Sequence, residues 1–370
     1  MAILTEEQTM LRDMAQEWVR HEQPVTAFRR LRDSGTKQGF DPEVFKAVAQ
    51  MGWTGVIVPE AYGGTGLGYL SLGLILEEAG RNLVATPLAA SALGAASALV
   101  LGGSEAQKQQ WLPGIVSGDV VGALAIDDTS RHDPGNIATT ATEAENGWTL
   151  DGTKMFVAEG DGANLFIVAA RTERGVGLFL VPGDAAGISR SHRAVVDSRS
   201  HAEIRFDATP VGHEALIGED DGSQLDRLLD HVRVGAAAEL LGLAEQAFET
   251  TLAYLKTRVQ FNQTLASFQA LQHRCAQLFT QIELVRSAVE SALQALDQQR
   301  PNVPQAASLA KAAASELSHQ ATREMIQLHG GIGMTDEHDA GFYLKRSRML
   351  EAQWGNAAFH RNRFASLSGF

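Results

Sequence analysis

The sequence predicts an α+β chain in three parts: a helical region over 1–118, a small antiparallel β region over 119–220 and a helical bundle over 221–370. Three observations carry that division. The first part has capped helix starts and helix-spaced apolar residues. The second changes to short alternating runs separated by turn residues. The third returns to apolar stripes sustained over many turns.

In the first part, Thr5-Glu6-Glu7-Gln8 is a capping box that opens a helix running through Trp18. Asp41-Pro42 marks a second start, followed by Val44, Val48 and Met51 at helical spacing. Pro59 and the glycines at 63, 64 and 66 make the following stretch a loop. Helices are expected over Tyr69–Gly80 and Ala89–Val100, and Ser104-Glu105-Ala106-Gln107 opens another. The β runs are Thr139–Thr142, Trp148–Leu150, Leu165–Ala169 and Gly177–Val181, separated by turn pairs such as Asn146-Gly147, Asp151-Gly152 and Pro182-Gly183. In the last part, Leu241, Ala244, Phe248, Leu252 and Leu255 share one face. A second stripe runs Phe268, Leu271, Cys275, Leu278, Ile282, Val285, Val289, Ala292, Leu296. Pro301 and Pro304 break the chain; Ala313, Leu317, Ala321, Met325 and Leu328 form a third stripe, and one final helix is expected from Tyr343 to about Phe364. Four such helices predict a bundle.

Composition excludes some functions. Of 370 residues, 44% are hydrophobic and 20% charged, an ordinary globular mixture. A net charge of -13 argues against nucleic-acid binding, which needs a basic face. The lone Cys275 cannot form a disulfide within the chain, and its place on an apolar stripe predicts a buried core thiol in a reducing compartment. No apolar run reaches the roughly 18 residues of a membrane span, and the N-terminus lacks the basic-then-apolar order of a signal peptide. A cytoplasmic protein is expected.

Two stretches in the last third carry the most chemistry: Arg258-Val259-Gln260-Phe261-Asn262-Gln263 and Gln327-Leu328-His329-Gly330-Gly331-Ile332-Gly333. Arg258, at a helix end, suits either a solvated cation favoured by the dipole or a pyrophosphate ligand. Gly330 and Gly331 suit a helix C-cap, and equally a backbone that a ligand approaches closely. Asp336-Glu337-His338-Asp339 holds metal-ligand residue types, but consecutive side chains diverge, so a solvated acidic loop is expected and no metal site. His329 and His338 are read as structural.

These two stretches, with Pro59-Glu60-Ala61-Tyr62-Gly63-Gly64, Leu74–Gly80 and Tyr254–Ala276, resemble the acyl-CoA dehydrogenases over essentially the whole chain. The resemblance implies that family's three-domain fold, FAD as cofactor, an acyl-CoA substrate and an electron-transfer flavoprotein as acceptor. It also implies that Arg258, Phe261, Gln327, Gly330 and Gly331 hold the pyrophosphate and adenosine of FAD in a neighbouring subunit. Asn262 stands where the family usually has Gly, and tolerates the left-handed turn.

The flavin-facing and base positions depart from the family. Ala125, in Ala123–Asp128, offers no hydroxyl to the flavin pyrimidine. In Lys154–Gly160, Phe156 keeps the aromatic wall while Ala158 replaces the Thr that bonds the flavin N5. The base that removes the Cα proton is usually a Glu before a Gly; here Trp354 precedes Gly355. At the family's second base position stands Val232. Asp230, His231 and Glu351 are the nearest fallback groups, each one to three residues away along a helix. Glu239 lies too far along its helix and reads as a satisfied carboxylate.

Intact trans-acting residues beside degraded cis-acting ones imply a non-catalytic subunit in an α2β2 acyl-CoA dehydrogenase, with FAD and Glu supplied by a homologous catalytic subunit. Likeness of Ala237–Ala276 and Gly330–Arg346 to smaller subunits of bacterial steroid-side-chain enzymes makes a steroid acyl-CoA the expected substrate. The alternatives are a self-sufficient homotetramer with a displaced base, Asp230 or Glu351, and a flavin-free acyl-CoA-binding or scaffold relative.

Overall fold

The computed structural model describes residues 4–370. Its first helices are α1 (Glu6–Glu22), α2 (Val25–Ser34), α3 (Pro42–Gln50), α4 (Gly68–Arg81), α5 (Ala96–Gly102) and α6 (Glu105–Ser117). The strands follow: β1 (Gly122–Ala125), β2 (Thr140–Ala144), β3 (Gly147–Ala158), β4 (Leu165–Arg171), β5 (Val176–Pro182), β6 (Ile188–His192), β7 (His201–Val211) and β8 (Leu216–Ile217). Next come α7 (Ser223–Thr257), the small hairpin β9 (Val259–Gln260) and β10 (Gln263–Thr264), then α8 (Gln269–Asp297), α9 (Val303–His329), α10 (Ala340–Ala352) and α11 (Ala357–Leu367).

The starts read from the sequence carry the bonds that make them starts. Gln8 N donates to Thr5 Oγ1 at 3.2 Å and Thr5 N to Gln8 Oε1 at 3.1 Å, the reciprocal pair of a capping box. Ser104 and Gln107 repeat it on α6. Asp41 accepts from Glu43 N at 3.0 Å, with Pro42 as the first helical residue. The stretch expected as one helix over Ala89–Val100 instead begins as a π-helix over Ala89–Ala95. The widened turns set Ser91 against the start of β1, where its hydroxyl donates to Val120 O and accepts from Gly122 N.

The chain forms two compact units. One comprises Arg29–Leu72 and Ala85–Val232 and contains the sheet. Its strand order is β6-β7-β3-β2-β4-β5-β8, with β1 added alongside β4. Pairing is antiparallel except where β1 runs parallel to β4 and Thr140 meets Arg171. All of β4 but Arg171 is buried, because both its faces are covered. The core sets Trp148 edge-on to Phe179 and Phe166 edge-on to Phe206.

The other unit takes the chain up to Phe28, Gly73–Val84 and Arg233–Phe370. Here α4 and α7 approach backbone to backbone. A Cβ on Gly242 would overlap the Glu77 carbonyl, and one on Gly80 would overlap the Glu239 carbonyl. The α8 stripe is deeply buried only from Leu278 onward. Phe268 caps α8 from outside, and Leu271 and Cys275 are half-buried, because the first two turns project beyond the packed part of the unit. The thiol expected in the core is therefore partly accessible. The single final helix is also corrected. The chain breaks at 353–356 between α10 and α11, because Trp354 and Gly355 both adopt positive φ.

A carboxylate-rich ion network ties α4, α7 and α8. Arg81 pairs with Glu245 at 2.9 Å and with Glu249, and stands 3.7 Å from Glu78. Arg286 pairs with Glu77 at 2.8 Å and with Glu245, and stands 3.7 Å from Glu283. Burial raises Glu77 and Glu245 and pushes Glu78 up to about 7, with the two arginines opposing the rise. Raised carboxyls bind protons in the folded chain that the unfolded chain has already released. For Glu78 and for Glu245, which is pushed up to about 8, the stabilisation is full below the ordinary carboxyl value of 4.5 and is lost as pH climbs through neutrality. The thermal midpoint is expected to fall between pH 5 and pH 8, and Glu245→Gln, which cannot ionise, to flatten that slope. An unchanged slope in the variant would remove Glu245 as its source.

Candidate functional site

At the end of α7 the chain folds back on itself. Arg258 N donates to Tyr254 O at 2.8 Å, and Leu265 N to Arg258 O at 2.9 Å. Between them β9 and β10 pair Gln260 with Gln263 and Val259 with Thr264, which leaves Phe261-Asn262 as a two-residue turn. Both turn residues are left-handed, at φ 53° and 63°. That is the two-residue hairpin geometry usually filled by Asn and Gly. A left-handed Phe costs about 1–2 kcal/mol, yet its ring is 83% exposed. Among the described residues its ring contact is an edge-on approach to Phe268 at 6.1 Å. No carboxylate among the described residues pairs with Arg258, whose side chain is exposed.

At the end of α9, Gly330 adopts φ 66° and ψ -138°, open to glycine alone. A Cβ on Gly330 or Gly331 would meet nothing within 4 Å, so both backbones face open space. Gln327 is exposed, as are Ile332 and Met334. The acids Asp336 and Glu337 are exposed too, and no group of three potential metal ligands exists among the described residues.

The expected base position is a built turn. Gln353 is extended, Trp354 has φ 59° and Gly355 has φ 99°. The Trp354 carbonyl accepts from Arg233 Nε at 3.3 Å and His360 Nε2 at 3.0 Å. Lys311 Nζ donates to the carbonyls of Gly355 at 3.0 Å and Glu351 at 3.3 Å, and to Ser315 Oγ. All three basic side chains are buried. Burial lowers Lys311 to about 7 and His360 to about 2, helped in the histidine by Lys311 and Arg233. His360 is therefore a neutral imidazole donating through Nε2. Sequence reasoning missed this triad, because its members come from α7, α9 and α11.

The fallback carboxyls are engaged elsewhere. Glu351 pairs with Arg348 at 2.7 Å and stands 3.5 Å from His319. It lines an open groove of about 650 Å³ with Leu284, Leu317 and Gln320. Asp230 is buried in the sheet-containing unit. Its neighbour His231 sits edge-on to Tyr69 and bonds the Arg227 carbonyl, and burial lowers its pKa. Because 353–356 is not helical, the rotation expected per helical residue does not apply between Glu351 and Trp354. Glu239 is held by Arg346 at 2.7 Å, a satisfied carboxylate as read.

Within the sheet unit, Ala125 is wholly buried opposite Val168. Strand β3 bulges between Lys154 and Val157, where Met155 and Phe156 oppose a single residue of β7. The bulge throws Phe156 outward, 40% exposed at φ 50°, and Ala158 follows beside His201. Behind it, buried Lys154 donates to Ile126 O at 2.7 Å and pairs with Asp128 at 2.9 Å. Burial lowers this lysine to about 8. The ion pair knits 126–128 to β3 and had no local sequence signal.

Models of the acyl-CoA dehydrogenase N-terminal, middle and C-terminal domains match residues 5–119, 124–209 and 222–367. A probable acyl-CoA dehydrogenase of Bacillus subtilis is 31% identical, over 97% of each chain. A variant of the steroid ACAD Tcur3481-Tcur3483 superposes with TM-score 0.91 at 30% identity, over 98% of each chain. The ChsE4-ChsE5 complex of Mycobacterium tuberculosis gives TM-score 0.91 at 26% identity, over 100% of this chain and 99% of that one. This chain belongs to the acyl-CoA dehydrogenase family. Family members are FAD-dependent oxidoreductases acting on CH–CH bonds. No helix among the described residues is long and apolar enough to cross a membrane.

Proposed function

We propose that this chain is the non-catalytic subunit of a heteromeric acyl-CoA dehydrogenase, gripping FAD in trans and leaving proton abstraction to a homologous partner. One observation carries this reading. The turn at residue 354 is held by Arg233, Lys311 and His360, yet it presents an indole where a carboxylate is required. The nearest acid on α10, Glu351, is bound to Arg348. An indole cannot take a Cα proton.

The residues on the two loops suit the dinucleotide half of FAD. Arg258 offers an exposed guanidinium for a pyrophosphate. Gly330 and Gly331 leave their backbones open to an adenosine, with Gln327 beside them. Phe261 is an exposed ring held at a strained φ, which a ligand or neighbouring chain would cover. A bound FAD would supply the hydride acceptor for an acyl-CoA oxidation whose Cα proton a carboxylate of the partner would take. This chain's part is to fix the cofactor's phosphates, with Phe156 offering an aromatic wall and Ala158 no hydroxyl. The names of the steroid ACAD and of the two-component complex favour a heteromer and a steroid acyl-CoA; an electron-transfer flavoprotein is the acceptor that the family resemblance implies.

Purified alone, the chain is expected to be colourless, without a flavin band near 450 nm and without acyl-CoA desaturation. Purified with a homologous subunit that carries the Glu, it is expected to be yellow and active. A yellow, active preparation of this chain alone would replace the proposal with the homotetramer reading. A preparation colourless with every homologous partner would replace it with the flavin-free one.

A further inference from the structure

The two loops assigned to FAD hang from different helices, α7 and α9, and something must hold them side by side. The rings of Tyr254, His329 and His338 do so. Tyr254 stacks on His329 with centroids 4.3 Å apart and planes 29° apart, and His329 meets His338 at 4.3 Å and 47°. Tyr254 is one helical turn before Arg258, and its carbonyl accepts the Arg258 N–H. His329 immediately precedes Gly330. His338 lies just past Met334 and accepts from Ala340 N through Nδ1 at 3.1 Å, on the first residue of α10. The central ring is fixed on both counts that matter. Its Nδ1 donates to Met325 O at 2.7 Å, which sets the tautomer, and burial lowers its pKa and keeps it neutral between its neighbours. The exposed residues of the clamp thus stand on a half-buried aromatic column.

We propose that Tyr254, His329 and His338 are positioning residues for FAD: their stack sets the spacing between Arg258 and the Gly330-Gly331 backbone, and so the reach from pyrophosphate to adenosine. This rests on the clamp reading above. None of the three rings need touch the cofactor. An aromatic pair is worth roughly 0.5–1.5 kcal/mol beyond its burial, which as a spacing constraint converts to a change of about two- to tenfold in affinity.

His338 allows a clean test, because its ring stacks while its Nδ1 caps α10. His338→Phe keeps the ring and loses the cap; His338→Asn keeps an acceptor and loses the ring. In the FAD-binding assembly as purified, the dissociation constant for added FAD is read from flavin fluorescence, with thermal midpoints alongside. His338→Asn is expected to weaken FAD binding about three- to tenfold, and His338→Phe to bind within about twofold of the parent. Tyr254→Leu against Tyr254→Phe repeats the test from the other end of the column and decides it if the asparagine variant does not fold. Weakened binding in His338→Phe with parent-like binding in His338→Asn would assign the effect to the cap and overturn the stack. Parent-like binding in His338→Asn and Tyr254→Leu, with Arg258→Ala weakened, would overturn the stack and leave the clamp standing. Parent-like binding in Arg258→Ala would overturn the clamp and the stack together.

Discussion

In the Arg258→Ala protein, the assembly is expected to lose FAD on dialysis, with its dissociation constant for FAD raised roughly 100-fold or more. Hydrogen bonds to charged groups contribute about 1.5–3 kcal/mol each, and a guanidinium on a pyrophosphate makes a pair of them. The effect should be on cofactor, not fold. Arg258 is exposed and has no carboxylate partner among the described residues, so its loss leaves no buried group unsatisfied. The thermal midpoint of the FAD-free variant should match that of the FAD-free parent. Salt should weaken the parent's hold on FAD more than the variant's, because part of that hold is Coulombic. FAD content equal to the parent's after dialysis would remove the trans clamp from the proposal.

The second large effect is expected from Gly355→Ala. The new Cβ would sit at φ 99°, a backbone region that L side chains rarely adopt, and would overlap the Phe359 ring. Strain and overpacking of that kind cost about 3 kcal/mol together, which lowers the thermal midpoint by roughly 5 °C or more. Gly341→Ala is the matched control. It lies inside α10, with nothing within 4 Å of the added Cβ. There alanine should be neutral or stabilise by up to about 1 kcal/mol, the ordinary gain inside a helix. Equal midpoints for the two variants would mean that the 353–356 turn does not hold Trp354 as described. The comparison matters for function because the same turn aims residue 354. A Trp354→Glu chain needs that turn intact before it can be asked whether a restored carboxylate has any substrate to act on.

The parts of the fold legible in the sequence were those fixed by neighbours in the chain. Thr5 with Gln8, Ser104 with Gln107 and Asp41 with Pro42 announced helix starts, because capping joins residues two or three apart. The stripe from Leu278 to Leu296 announced a buried helix face, because one periodic pattern serves the whole length. Around the candidate site, Asn262 correctly signalled a left-handed turn. Features made by distant partners stayed hidden. Lys154 with Asp128, and Arg233, Lys311 and His360 around one pair of carbonyls, unite residues with no shared local pattern. The break at 353–356 was missed because Gly355 alone signals it, and Trp354, the other residue at positive φ, carries no such signal. Phe261 concealed its own positive φ for the same reason. The bulge at Phe156 escaped because an extra residue in one strand shows only against its partner. Cys275 followed the helical period perfectly and is still half-exposed, since period gives the face of a helix and not how far its neighbours extend.

The crowd of glutamates around Arg81 and Arg286 has a calorimetric consequence. Groups that hold protons when folded and shed them when unfolded make denaturation near neutrality a proton-releasing reaction. The heat absorbed then includes the heat of whatever buffer captures those protons. Scans in phosphate, whose ionisation is nearly athermal, and in Tris, whose ionisation is strongly endothermic, should return different apparent enthalpies for the same transition; their difference gives the net proton exchange, and the part of it that Glu245→Gln removes is the proton Glu245 gives up.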